Sequence, residues 1–163
     1  MRKTALVAAF ALLGLAAGRA PAEAGQVWKF ASAVAPGDRQ DLAGLKMVEI
    51  ANQRLGGRAQ IQYFNAGQLG NERELTEGVK LGTIEFGMTS TSAMTTIVPQ
   101  LAFYDLPFLF RDKAHARKVA TGPVGDKLLA HMEAAGIKGL ATAESGFRLL
   151  MTNGVEVTHP KDM

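Results

Sequence analysis

One stretch organises the sequence: Phe64-Asn65-Ala66-Gly67-Gln68-Leu69-Gly70-Asn71-Glu72-Arg73-Glu74-Leu75. Gly67 and Gly70 bracket a tight turn, because glycine takes a positive φ without a Cβ penalty. Asn71 is a candidate N-cap, and two glutamates follow it in the first helical turn, where the helix macrodipole favours carboxylates. The stretch therefore predicts the end of a strand, a glycine-flanked turn and the start of a helix.

The flanking segments complete a βαβ unit. Residues 59–63 alternate between apolar and polar side chains, which is typical of a half-buried strand, and residues 84–88 return as a second strand after the helix. Such a unit implies a parallel sheet, whose ligand sites lie beyond the carboxyl ends of the strands. We expect residues 68–72 and 89–91 to lie at that edge.

The rest of the chain extends the α/β pattern. Strands are predicted at residues 27–31, 137–144 and 147–152, and helices at residues 41–55, 113–121 and 124–135. The apolar residues of the helix at 41–55 are expected to form one buried face: Leu42, Leu45, Val48, Ala51 and Leu55. Glycines and prolines separate these elements, as they do at turns and helix ends.

The first residues predict an export signal. Arg2 and Lys3 precede an uncharged apolar run at residues 5–17, and Ala22-Glu23-Ala24 fits the small-x-small cleavage pattern. The sequence Ala20-Pro21-Ala22 is a competing cleavage site. The apolar run is shorter than the roughly 20 residues that a membrane span needs. We therefore expect residues 1–24 to be a cleaved signal peptide and the mature protein to be periplasmic.

Composition excludes several classes of protein. The mature chain would carry 15 basic and 14 acidic residues, a balance that argues against a nucleic-acid-binding protein. The absence of cysteine excludes disulfides, thiolate zinc sites and cysteine nucleophiles. The histidines, His115, His131 and His159, lack metal-ligand spacing. No nucleophile motif with a histidine partner is visible, so we expect neither an enzyme nor a bound metal or cofactor, and an exported α/β hydrolase is disfavoured.

Arg148 is the one polar residue that suggests a ligand contact. It follows Phe147 at the start of an apolar run, and a buried guanidinium needs an anionic or carbonyl partner because it stays charged. It could form a structural salt bridge with Glu144 or Asp105. It could equally clamp the carboxylate of a ligand through two parallel hydrogen bonds.

Two further segments each allow two interpretations. Residues 90–96 are rich in hydroxyl groups, which favours a solvated loop or a short helix start over a set of donors for a bound anion. Residues 101–110 hold the densest aromatic cluster, and Pro107 excludes a regular helix through it. A buried connector is favoured there over a hydrophobic wall beside a ligand.

An ordered set of short motifs resembles one family. The motifs are Gln68-Leu69-Gly70-x-Glu72, Gly82-Thr83-Ile84-Glu85-Phe86-Gly87, Pro99, Asp105-Leu106-Pro107-Phe108-Leu109-Phe110, Gly146-Phe147-Arg148 and Pro160-Lys161-Asp162. In this order they resemble the solute-binding proteins of tripartite ATP-independent periplasmic (TRAP) transporters, of the C4-dicarboxylate type. The resemblance implies a two-lobed periplasmic-binding-protein fold that closes on a small organic-acid anion and delivers it to membrane permease subunits.

The resemblance also assigns site residues and a domain division. It implies that Glu72, Ser90 and Thr91 face the ligand from the first lobe, and that Arg148 faces it from a strand that crosses to the second lobe. Serine at position 90 argues against a sialic-acid ligand, because related proteins of that type can carry an acidic residue there. Residues 25–143 would form the first lobe, and residues 144–163 the crossover strand and the start of the second lobe.

The length departs from the resemblance. Family members are longer, and their main carboxylate-binding arginine follows the Pro-x-Asp turn, which here is Pro160-Lys161-Asp162 at the end of the chain. We therefore expect an N-terminal fragment that alone binds no organic acid at micromolar concentrations. The binding protein of an ATP-driven importer and the ligand-capture module of a sensor are the alternatives.

Overall fold

The computed structural model describes residues 25–147, 149, 151–154 and 156–162. Its strands are β1 (Gln26–Ser32), β2 (Ala59–Phe64) and β3 (Phe86–Met88). Its α-helices are α1 (Arg39–Leu55), α2 (Glu72–Leu81), α3 (Thr91–Met94), α4 (Lys113–Ala120) and α5 (Pro123–Ala134). Two 3-10 helices span Pro99–Asp105 and Pro160–Asp162. The predicted signal peptide at residues 1–24 lies outside the described residues.

The three strands form a parallel sheet in the order β2-β1-β3. Phe30 of β1 pairs with Tyr63 of β2 on one side and with Phe86 of β3 on the other. Helix α1 connects β1 to β2, and α2 carries the chain from β2 across to the opposite side of β1. The predicted βαβ unit and the α/β fold class are therefore confirmed. Strand β3 is shorter than the predicted residues 84–88.

The turn between β2 and α2 forms as the sequence predicts. Gly67 and Gly70 have φ angles of 69° and 119°, in the region where a Cβ would be strained. The Asn71 side chain accepts hydrogen bonds from the backbone N–H groups of Arg73 and Glu74, and the Glu74 carboxylate accepts one from the Asn71 N–H at 2.8 Å. This reciprocal capping box fixes the start of α2.

Helix α1 packs through only part of the face that was predicted. Leu42 and Leu45 are about half exposed, with relative exposures of 56% and 47%, whereas Asp41 and Gly44 are buried. A Cβ at Gly44 would lie 2.9 Å from the Tyr63 ring, so the absence of a side chain lets the helix approach the sheet closely. The prediction therefore holds for Val48, Ala51 and Leu55, which are half-buried, and is wrong for Leu42 and Leu45, because a polar residue and a small residue occupy the contact face there.

The strands predicted at residues 137–144 and 147–152 are absent from the described residues. Ile137 is instead buried in a cluster with Leu128 and Met132 of α5. An extended segment becomes a strand only where a neighbouring backbone completes its hydrogen bonds, and the sheet of the described residues contains only β1, β2 and β3, while Ile137 packs beside a helix. Within this apolar stretch, Ile137 is therefore buried by contact with α5 and not by sheet pairing, whereas Leu140 is 68% exposed.

The aromatic segment at residues 101–110 is only partly buried. Leu101 belongs to the cluster around Leu128, and Phe110 stacks on Tyr104 with ring centroids 6.4 Å apart. Leu106 is 52% exposed and Phe108 is fully exposed. The prediction of a buried connector thus holds at Leu101 and for the half-buried rings of Tyr104 and Phe110, and fails at Leu106 and Phe108, where the turn after Pro107 gives Phe108 a φ of 60° and its ring is exposed.

Candidate ligand site

The strand order creates a divergence at the carboxyl end of the sheet. The connection that leaves β1 runs through α1 to one side, and β3 lies on the opposite side of β1. In open α/β sheets, the loops at such a switch point separate and leave a crevice for a ligand. The segments that follow β1, β2 and β3 at this edge are residues 33–38, 65–71 and 89–90.

Glu72 and Ser90 meet at this edge. The Ser90 hydroxyl donates a hydrogen bond to a Glu72 carboxylate oxygen at 2.5 Å, which links the start of α2 to the end of β3. Ser90 is also the N-cap of α3, because its Oγ accepts from the Ala93 N–H at 3.3 Å and from the Ser92 hydroxyl at 3.1 Å. The structure therefore brings together two of the residues that the sequence singled out.

The remaining hydroxyl groups support this contact. The Thr76 hydroxyl donates to the Glu72 backbone carbonyl at 2.7 Å and lies 3.4 Å from the Thr89 hydroxyl. Thr91 is the first residue of α3 and is half-buried beside Ser90. The segment at residues 90–96 therefore begins as a short helix, which is the simpler of its two predicted interpretations.

The charge of Glu72 has no cationic partner among the ion pairs that the described residues form. Those ion pairs join Lys46 with Glu49, Arg117 with Glu144, and Lys138 with Glu133. The N-terminus of α2 favours a carboxylate at this position through the helix macrodipole. An ionised carboxylate only accepts hydrogen bonds, so the edge around Glu72 offers oxygen acceptors to donors such as hydroxyl groups.

A buried polar network underlies the same edge and was missed from the sequence. Asp41 is 2% exposed, and its two carboxylate oxygens accept hydrogen bonds from the Asn65 side-chain amide at 2.9 Å and from the Gly37 N–H at 2.8 Å. The Tyr63 hydroxyl contacts the fully buried Ser32 hydroxyl at 2.8 Å. The spacing of Asp41, Gly44 and Val48 could have revealed a helix face centred on an aspartate.

These contacts shift the pKa values of Asp41 and Tyr63. The Asn65 amide, then the Gly37 N–H and the Tyr63 hydroxyl, lower the pKa of Asp41 below its ordinary value of 3.8, while burial opposes them. Burial raises the pKa of Tyr63 above 10.0. Asp41 is therefore an anion and Tyr63 a neutral phenol at neutral pH.

The depressed pKa of Asp41 predicts an acid-dependent stability. Since the unfolded state binds the proton more readily, Asp41 stabilises the fold above pH 3.8 and loses that contribution as the pH falls through its lower folded-state pKa. Asp41→Asn should remove this part of the acid dependence. Urea unfolding between pH 6 and pH 2.5 should therefore give a shallower slope for the variant, and parallel curves would contradict the prediction.

Arg148 lies outside the described residues. Of the two partners predicted for it, Glu144 accepts from the Arg117 guanidinium at 3.2 Å. In the described part of the chain, no group of three histidine, aspartate or glutamate side chains could hold a metal ion. No helix in that part is long and apolar enough to cross a membrane.

The model of the family DctP, "Bacterial extracellular solute-binding protein, family 7", matches residues 30–163. The chain belongs to this family. The family consists of periplasmic solute-binding proteins, which are not enzymes, and the predicted resemblance to TRAP solute-binding proteins is confirmed.

Individual relatives agree with this assignment. The chain is 33% identical to the Escherichia coli 2,3-diketo-L-gulonate-binding periplasmic protein YiaO over all of its residues and 50% of that protein. It is 35% identical to a TRAP solute-binding protein from Polaromonas sp. JS666 bound to D-erythronate, with a TM-score of 0.68 over 71% of this chain and 38% of that one.

A third relative holds a different acid. The TRAP solute-binding protein from Sulfurospirillum deleyianum with bound succinate is 30% identical, with a TM-score of 0.65 over 69% of this chain and 36% of that one. The chain thus spans half or less of the length of each of these three relatives. Relatives of this chain therefore bind small organic acids.

Proposed function

We propose that this chain is the ligand-capturing first part of a TRAP solute-binding protein, which takes up an organic-acid anion and delivers it to a membrane permease. The observation that carries the proposal is the contact between Glu72 and Ser90 at the divergence of the sheet connections. Family membership supplies the transport role. On this proposal the protein catalyses no reaction, needs no cofactor and acts in the periplasm after residues 1–24 are cleaved.

The proposed ligand contacts divide into two groups of opposite polarity. Glu72, Ser90 and Thr91 belong to residues 25–143, the proposed first lobe, and face the hydroxyl-bearing part of the ligand. Arg148 belongs to residues 144–163, the proposed crossover, and binds the carboxylate through its paired N–H donors. A carboxylate placed against Glu72 would be repelled, because like charges disfavour each other at short range.

This division favours a hydroxylated monocarboxylate over a plain C4-dicarboxylate. Ligand hydroxyl groups can donate to the remaining lone pairs of Glu72, whereas the second carboxylate of succinate cannot donate at all. The names of the YiaO and Polaromonas relatives give a sugar-acid derivative and D-erythronate, whereas the Sulfurospirillum relative holds succinate.

Titration calorimetry on the full-length product of the gene tests the proposal. We expect D-erythronate to bind more tightly than succinate, and Ser90→Ala to weaken erythronate binding by about two- to tenfold, since a net hydrogen bond contributes about 0.5 to 1.5 kcal/mol. Thr96→Ala is the matched control, because its exposed hydroxyl contacts the Ala93 carbonyl and not Glu72. If no organic acid binds, the proposal fails.

A further inference from the structure

Asp41 is a buried charge held only by neutral donors among the described residues. The Gly37 N–H, on the connection after β1, and the Asn65 amide, on the connection after β2, donate hydrogen bonds to its two oxygens, and the Tyr63 hydroxyl of β2 also lowers its pKa. The ion pairs of the described residues do not include it. Burying a carboxylate without a counter-ion costs free energy. An aspartate at this position therefore calls for a role that a neutral asparagine would not fulfil.

The negative charge of Asp41 fixes the orientation of the neighbouring side-chain amides. Because a carboxylate only accepts, Asn65 must turn its Nδ2 toward Asp41. Its Oδ1 then faces the next turn and accepts from the Gln68 Nε2 at 3.1 Å. Gln68 is exposed, and its Oε1 is consequently turned away from Asn65. The three residues form a relay in which the charge of Asp41 sets the polarity at the exposed end.

A neutral amide at position 41 would reverse the relay. Its Oδ1 would accept from the Gly37 N–H, so its Nδ2 would face Asn65. Asn65 would then present Oδ1 inward and Nδ2 toward Gln68, and Gln68 would turn its Oε1 inward and its Nε2 outward. The volume of the side chain at position 41 is nearly unchanged, and the hydrogen bonds to the Gly37 N–H, between positions 41 and 65, and between positions 65 and 68 are kept. Along this relay, only the direction of donation changes.

We infer that Asp41 is a positioning residue for ligand selectivity. Its charge orients Asn65 and Gln68 so that the connection between β2 and α2 presents an oxygen acceptor at its exposed end, which suits the hydroxyl groups of a ligand and disfavours a second carboxylate. This inference rests on the proposed function, because it assumes that an organic acid binds at this edge. It also makes a statement about amide orientation that holds without any ligand.

The affinity ratio between two ligands distinguishes this role from a purely structural one. D-erythronate and succinate are titrated into the full-length gene product carrying Asp41→Asn, or Asp41→Asn together with Asn65→Asp. A merely destabilised site would weaken both ligands alike. We expect the single variant to shift the ratio toward succinate by about tenfold, the equivalent of one hydrogen bond.

The double variant tests the relay itself. With aspartate at position 65, one carboxylate oxygen accepts from the new amide at position 41 and the other accepts from the Gln68 Nε2, so the outward oxygen of Gln68 is restored. We expect its affinity ratio to return to within about threefold of the unsubstituted protein. An unchanged ratio in the single variant, equal losses for both ligands, or a double variant that keeps the altered ratio would each overturn the inference.

Two further measurements keep the inference testable in every case. If the unsubstituted protein binds neither acid, the proposed function fails. The relay can still be tested by hydrogen exchange of the Asn65 side-chain amide, followed by NMR. We expect the exchange to be slow in the unsubstituted protein and faster in Asp41→Asn. If Asp41→Asn does not fold, the exposed substitution Gln68→Met removes the outward oxygen instead. Its affinity ratio should move toward succinate, and an unmoved ratio would overturn the inference.

Discussion

Leu75→Ala is expected to lower the free energy of unfolding by about 2 to 5 kcal/mol, the usual cost of truncating a fully buried leucine. Leu75 is 0% exposed and packs with Ala31 of β1 and with Ile84. The cavity would lie between α2 and the sheet, directly beneath the helix that carries Glu72. Urea unfolding of the full-length gene product, followed by circular dichroism, measures the change.

Leu81→Ala is the matched control for this prediction. The same substitution is made on the same helix, but Leu81 is 78% exposed. Its effect should stay within about 0.5 kcal/mol, as for most surface changes. Equal losses in the two variants would show that α2 does not pack on the sheet through Leu75.

Gly125→Ala should also destabilise the protein strongly, although alanine normally has a higher helix propensity than glycine. A Cβ at this position would lie 1.9 Å from the Ala120 carbonyl oxygen, so the backbone between α4 and α5 would have to move. Overpacking typically costs about 1 to 3 kcal/mol, and a clash with backbone belongs at or above the upper end of that range. The same urea titration measures it.

Gly78→Ala tests whether crowding of a new Cβ against a side chain costs less stability than crowding against the backbone. Gly78 also lies in a helix, but its added Cβ would meet the flexible Ile84 side chain, with Cδ1 at 2.9 Å. Rotation of that isoleucine can relieve part of the contact, so the loss should be smaller than at Gly125. A larger loss at Gly78 would contradict the close approach of the two helices at Ala120.

Local chemistry made the centre of the fold predictable. The φ angles of Gly67 and Gly70 and the capping box at Asn71 depend on residues within one turn of each other, so the sequence contains their causes. The closeness of Glu72 and Ser90 could also be predicted from the sequence, because parallel strands bring their carboxyl ends to one edge of the sheet.

Contacts distant in sequence were not predictable in the same way. Ile137 looks like a strand residue, and only the position of α5 explains why it is buried without a sheet. The network of Asp41 and Asn65 joins residues on different connections, and neither side chain has a local motif that signals burial. Leu42 and Leu45 of α1 were wrongly expected to be buried because Gly44, and not a leucine, sets the distance to Tyr63.

The placement of Asp41, Glu72 and Ser90 on three different connections bears on how such a protein can evolve. Each residue follows a different strand, and the pairing of the strands depends on backbone hydrogen bonds that none of these side chains supplies. A mutation in one connection can therefore change the polar groups at this edge while the sheet itself is retained. A change that acts through the contact between Asp41 and Asn65 needs paired substitutions on two connections, so divergence at this edge would proceed by coupled steps on a constant framework.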